Sequence, residues 1–247
     1  MGSYDPKRIN ASPTKEFFIY MLTRDIPLTR AILDLVDNSA DGARRIQSTG
    51  DYAGLWVRLE LSADHFRIVD NCGGIPVSTA RNYAFRFGRP KDAPVTLGSV
   101  GQFGVGMKRA FFKLGEHFKV TSTTDNSRFD MEIDVLEWVT PDGNESPEDW
   151  HFHFDTVEED LTDVAPEHIG TQIEVTRLHG TVVENFELEN FVARLTEEIS
   201  VAHSATMNKG LAISINAIPI GFEPQRLFVS DQLKPAYVEK VYDVRCF

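Results

Sequence analysis

Between Leu28 and Ile46 the apolar residues return at helical spacing, with Leu28, Ala31, Ile32, Leu35, Val36, Ala43 and Ile46 on one face. The pattern predicts an amphipathic helix that ends near Gly50. Ahead of it, KEFFIYMLTRD predicts a shorter amphipathic helix, started by the hydroxyl of Ser12 and by Pro13. The period then changes to two. LWVRLELS and HFRIVD alternate apolar and polar residues around a short polar turn and predict an antiparallel hairpin. DNCGGIPV follows as a glycine-rich turn, and STARNYAFRFG as a short helix. RPKDAPVTLGSVGQFGVG is a long glycine-dotted segment that runs into a helix, MKRAFFKLG, stopped by Gly115. A loop of that length inside a compact domain is usually a functional lid or disordered.

Period two returns in HFKVTST, RFDMEIDVLEW, HFHFDTV and TQIEVTRL, read as four strands of a meander with PDGNESPED as an exposed turn. FELENFVARLTEEISVAHSA predicts a long helix, and LAISINAIPI two strands around an Asn216-Ala217 turn. Strands that run consecutively predict an α+β fold, a mostly antiparallel sheet with helices layered on one face. The βαβ alternation of a dinucleotide-binding fold is not seen.

Composition narrows the function classes. The chain has 247 residues, 42% hydrophobic and 25% charged, which fits a globular protein. Its net charge of -12 argues against a broad basic face that grips nucleic acid directly. Cys72 and Cys246 lie far apart and form no C-x-x-C pair, so neither a zinc site nor a disulfide framework is expected. With no apolar run of signal-peptide or membrane-span length, the chain reads as cytoplasmic.

Three stretches carry chemistry. In AILDLVDNSADGA, Asp34 and Asn38 are four apart and share one side of the helix, while Asp37 and Asp41 flank them. A carboxylate accepts a proton from water, and an amide oxygen ligates a hard cation such as Mg²⁺, with phosphates supplying the other oxygens. A solvated helix face fits the same stripe. In the second stretch, Gly98, Gly101, Gly104 and Gly106 precede a helix that starts near Met107 and carries Lys108 in its first turn. Such glycines bring backbone N–H groups close to an anion, and the lysine reaches a terminal phosphate as a point charge. A flexible loop before a helix is the plain alternative. Third, Asp70 ends a strand just before Gly73 and Gly74, placed either to accept from an exocyclic amine such as adenine's or to make an Asx turn. Thr171, after Gly170, is placed to support the same pocket.

Taken in order, AILDLVDNSADGA, VDNCGGIP, GSVGQFGVGMKRAFFKLG and GTQIEV resemble the motifs of the GHKL ATPases, the superfamily of gyrase, the heat-shock chaperone of that fold, histidine kinases and MutL. GQFGVG is very like the chaperone's lid motif, and FRFGRPK followed by GQFGVGMKRAFFKLG looks closest to the MORC-type members. The resemblance implies a Bergerat-type ATP-binding α/β sandwich over residues 1–180 and the start of a transducer-like unit over 181–247. It implies that Asp34 is the general base, Asn38 the Mg²⁺ ligand and Asp70 the acceptor for the adenine amine, assisted by Thr171. Gly74 would line the base and ribose, and Asp41 would lie near the nucleotide. Gly101, Gln102, Phe103, Gly104, Val105, Gly106, Met107 and Lys108 would wrap the phosphates. ATP or ADP and Mg²⁺ are the implied ligands, and a nucleotide-dependent homodimer that signals to a protein partner or downstream domain is the implied assembly. This chain departs from the family twice. Asp34 stands where a longer glutamate is usual, so slow hydrolysis is expected, and Cys72 replaces the first glycine of the usual D-x-G-x-G.

Overall fold

A computed structural model describes residues 9, 11, 13–88, 105–140 and 150–222. Among the described residues eight strands form one sheet in the order β5-β4-β3-β6-β2-β1-β7-β8. The strands are β1 (Trp56–Leu61), β2 (His65–Asp70), β3 (Gly115–Thr123), β4 (Arg128–Asp134), β5 (Thr156–Glu158), β6 (Gly170–Leu178), β7 (Ala212–Ile215) and β8 (Ile218–Pro219). Every pair is antiparallel except β1 with β7. The expected α+β sheet is therefore present, but it is not a plain meander. Strand β6 inserts between β3 and β2, and this sets Thr171 opposite both Asp70 and Ser122.

Alternation decides which sheet face is covered. Val57, Leu59, Phe66, Ile68, Phe118, Val120, Met131, Ile173 and Val175 are buried, while their strand neighbours are mostly half-buried or exposed. The helices are α1 (Lys15–Thr23), α2 (Leu28–Ile46), α3 (Val77–Thr79, continued by a π-turn over Ala80–Ala84), α4 (Gly106–Leu114), α5 (Val135–Val139), α6 (Gly180–Phe186) and α7 (Glu189–Met207). Helix α2 packs between α4 and α7 and is buried on most sides. Phe111 of α4 stacks on Phe118 of β3 at 4.5 Å between ring centroids, which seats α4 on the sheet.

Four local expectations are corrected. Helix α1 begins at Lys15 rather than at Ser12-Pro13, because Thr14 supplies the capping hydroxyl to the Phe17 N–H at 3.3 Å. The segment RFDMEIDVLEW leaves the sheet at Asp134, whose carboxylate caps α5. HFHFDTV is strand only at Thr156 and Val157, the start of β5. Phe152 and Phe154 pack against the core from an irregular segment instead. Helix α6 was not anticipated at all. The Asn216-Ala217 turn is present, with φ of 48° and 64° at its two residues, the left-handed pair that a tight hairpin needs. Both strands it joins belong to the same sheet as β1–β6. Among the described residues no helix is long and apolar enough to cross a membrane.

Candidate functional site

Helix α2 carries its polar residues inward on several sides. Between Ala31 and Ala43 the one exposed residue is Asn38, while Asp34, Asp37 and Ser39 are buried. Asp34 faces α4. Its Oδ2 accepts from the Arg109 guanidinium, and its Oδ1 lies 3.3 Å from Arg30 Nε. Asp37 faces α7, with Oδ1 3.2 Å from His203 Nε2 and Oδ2 3.6 Å from Arg30. The His203 ring is 2% exposed and makes no aligned hydrogen bond through either nitrogen, so it meets Asp37 by proximity alone. Asp41 is half-buried and pairs with Arg44 at 2.6 Å, and Arg44 also donates to Thr206 of α7 at 3.2 Å.

On the other flank of α2, Ser39 Oγ donates to Asp70 Oδ2 at 2.6 Å, and the Cys72 N–H donates to Oδ1 at 2.8 Å. Burial raises the Asp70 carboxyl above its ordinary pKa. Ser39, the backbone N–H groups of Cys72 and Thr171, and the charge of Arg45 pull it the other way. Thr171 Oγ1 lies 3.1 Å from Ser122 Oγ, which accepts from the Ile75 N–H at 2.7 Å. A continuous polar chain thus ties β3 and β6 to the turn after β2.

The turn has two consecutive left-handed residues, Gly73 at φ 88° and Gly74 at φ 67°. A Cβ on Gly74 would collide with the Thr123 carbonyl, so the β2 turn and the end of β3 touch through backbone alone. The Gly74 carbonyl accepts from Arg45. Helix α2 lies equally close: a Cβ on Gly42 would stand 2.6 Å from the Cys72 carbonyl oxygen. Cys72, at the unusual position in the motif, is packed against α2, and burial pushes its thiol pKa up.

Gly101, Gln102, Phe103 and Gly104 lie outside the described residues. Val105 caps α4 and Gly106 begins it, with the position of a Cβ on Gly106 only 3.2 Å from Asp34 Oδ2. Met107 is buried in the core. Lys108 is 1% exposed and donates to the Ala84 carbonyl at 2.7 Å, at the end of the π-turn. Burial pushes its pKa down to about 8. Below that value the ammonium is charged in both folded and unfolded chains and its desolvation cost is constant. Between about 8 and the ordinary 10.5 only the unfolded chain holds the proton, so stability rises with pH. Lys108→Met, which keeps the stem and removes the charge, is expected to abolish that rise, as urea midpoints measured from pH 7 to 10 would show.

The fold therefore brings Asp34, Gly106 and Arg109 together on one flank of α2. On the other flank it gathers Ser39, Asp70, Gly74, Ser122 and Thr171, with Asn38 exposed on the helix between them. Sequence reading missed Arg109, Ser39 and Ser122. For Ser39 a signal existed, since its neighbour Asn38 points outward and the helix turns the next residue by about 100°. For Arg109 and Ser122 there was none, because their partners lie 75 and 49 residues away in the chain. Residues 26–171, more than half of the chain, match the sequence model of the family described as histidine kinase-, DNA gyrase B-, and HSP90-like ATPase. No curated protein matches the sequence.

Proposed function

The chain belongs to this family of ATPases, whose domains bind ATP, and from that premise we propose that it binds Mg²⁺-ATP along the exposed side of α2 and hydrolyses it slowly. The observation that carries this reading is Asp70. A buried carboxylate is costly unless donors satisfy it, and here two N–H groups and a hydroxyl orient it at a turn opened by left-handed glycines. An adenine amine is the donor such a site favours. Between Ala31 and Ala43, the stretch of α2 that links Asp34 to the Asp70 side, Asn38 is the one exposed residue, which suits the metal-ligand role. Among the described residues no group of three or more His, Cys, Asp and Glu forms a cation cage, so the phosphates complete the Mg²⁺ shell.

Mg²⁺ when bound would spread the charge that develops on the γ-phosphate. Asp34 takes the proton of the attacking water, while Asn38 holds its ligating oxygen toward the metal. Gly101 through Lys108 supply backbone donors to the phosphates, Gly74 borders the base and ribose, Thr171 supports Asp70, and Asp41 holds a place near the nucleotide. FRFGRPK and GQFGVGMKRAFFKLG favour a MORC-type or chaperone-type member. By that reading, nucleotide binding closes the lid, pairs two copies of the chain and signals through the transducer-like segment from 181 onward to a protein partner or downstream domain. The contacts His203–Asp37 and Thr206–Arg44 support α7 as the relay, since they tie it to the site helix. An intracellular setting suits two cysteines with no disulfide pattern.

A second reading, a nucleotide-gated interaction module with little turnover, is favoured by one feature. Asp34 is shorter than the usual glutamate and already engaged by two arginines. Phosphate release and calorimetric Mg²⁺-ATP binding separate the two. The ATPase reading expects measurable turnover that Asp34→Ala lowers by roughly a hundredfold or more, with binding retained. It also expects Asn38→Ala to lose the Mg²⁺ dependence of binding and at least about tenfold in rate. Binding without turnover leaves the interaction module, and absence of both removes the nucleotide site.

A further inference from the structure

Asp34 is 8% exposed and held from three directions. Arg30 approaches Oδ1 at 3.3 Å from one turn earlier on α2, and Arg109 reaches Oδ2 from α4. Gly106 backs the carboxylate so closely that its Cβ position is 3.2 Å from Oδ2. Arg109 and Arg30 also line one cavity of about 370 Å³ with Met21, Leu22, Asp25, Ile26 and Pro27.

We infer that Arg109 is a positioning residue for the water-activating carboxylate, fixing Asp34 in the one rotamer from which this short acid acts. The inference rests on the hydrolytic reading above. Misplacement on the order of 1 Å costs roughly a hundredfold in rate, and an aspartate starts one methylene short of the usual glutamate. A carboxylate oxygen has two lone pairs, so one guanidinium contact on each oxygen fixes the group and leaves a lone pair on each for water. The planar fork of arginine sets orientation, which a lysine ammonium does not. Arg109 also sits three residues into α4 from Gly106, so a shift of that first turn moves the base with it.

The test uses the 247-residue chain with Arg109→Gln, Arg109→Lys, Asp34→Asn and the Asp34→Asn/Arg109→Gln double variant. Turnover, KM for ATP, calorimetric Mg²⁺-ATP affinity and urea midpoints are measured for each. Arg109→Gln is expected to lower kcat about tenfold or more, with KM and affinity within about twofold of wild type. Arg109→Lys, which keeps the charge and safeguards against misfolding, is expected to recover only part of the rate. In the Asp34→Asn background, Arg109→Gln is expected to change kcat by less than about twofold and to move the midpoint less than it does in the wild type. Wild-type kcat in Arg109→Gln, losses that multiply in the double variant, or an equal midpoint shift in both backgrounds overturns the role of Arg109 alone. A wild-type chain that binds ATP without turnover overturns the hydrolytic reading and this inference with it.

Discussion

Asp70→Asn is expected to weaken ATP binding by roughly a hundredfold or more while making the unliganded protein more stable at neutral pH. The loss follows from polarity: a site built around a buried acceptor rejects a ligand whose amine then meets another amine, and unpaired buried groups commonly cost factors of this size. The gain follows from linkage. Folding raises the Asp70 pKa, chiefly by burial. Its contribution to stability is therefore fully present below the ordinary carboxylate range and is lost as pH climbs through the raised folded value. At neutral pH, above the ordinary carboxylate range, the raised pKa of the folded state costs the wild type stability, and the isosteric amide removes that cost. Thermal melting of the two proteins should show the variant ahead at pH 7, with the gap narrowing as pH falls toward 4. Calorimetry should show heat of ATP binding only for the wild type. A variant that melts earlier at pH 7, or that binds ATP normally, removes Asp70 from the centre of the site.

Gly74→Ala is expected to destabilise the fold by roughly 3 kcal/mol or more, although it adds a single methyl group. The residue sits at φ 67°, a strained setting for an L-residue that costs about 1–2 kcal/mol. Its new Cβ would also run into the Thr123 carbonyl, which is backbone and gives way only if β3 moves. Relief of that overlap adds about 1–3 kcal/mol. Strand β3 carries Ser122, one residue from Thr123, so the same displacement loosens the chain from Ile75 through Ser122 to Thr171. Urea unfolding measures the first effect. A Gly54→Ala control, also at positive φ but with open space around it, isolates the steric part from the conformational part. Equal losses in the two variants would place the whole effect in φ.

Much of the fold is legible in the sequence because the burial of one face imposes a period. α2, α7, β1, β2 and β3 each keep an apolar stripe where expected, while the polar stripe of α2 taken alone reads as a solvated face. The same logic misleads at HFHFDTV. Phe152 and Phe154 alternate as a strand would, yet Phe152 covers an aromatic cluster that includes Phe118 and Trp138, Phe154 packs on Phe129, and only the residues after them pair with β4. Apolar alternation reports that a side chain will be buried, not what the backbone beside it will bond to.

The sequence by itself determined the spacing of Asp34 and Asn38 on one helix, the glycines after Asp70 and before α4, and the order of motifs that places the chain in its family. All of these depend on neighbours a few residues apart, where helix geometry and φ preferences act. Only the tertiary structure decided that β6 inserts beside β2 to bring Thr171 and Ser122 to Asp70. It alone decided that Ser39 holds the carboxylate, that Arg109 crosses from α4 to Asp34, and that His203 faces Asp37. Those contacts join segments between 31 and 166 residues apart. They are fixed by how the layers pack, and local propensity carries no record of them.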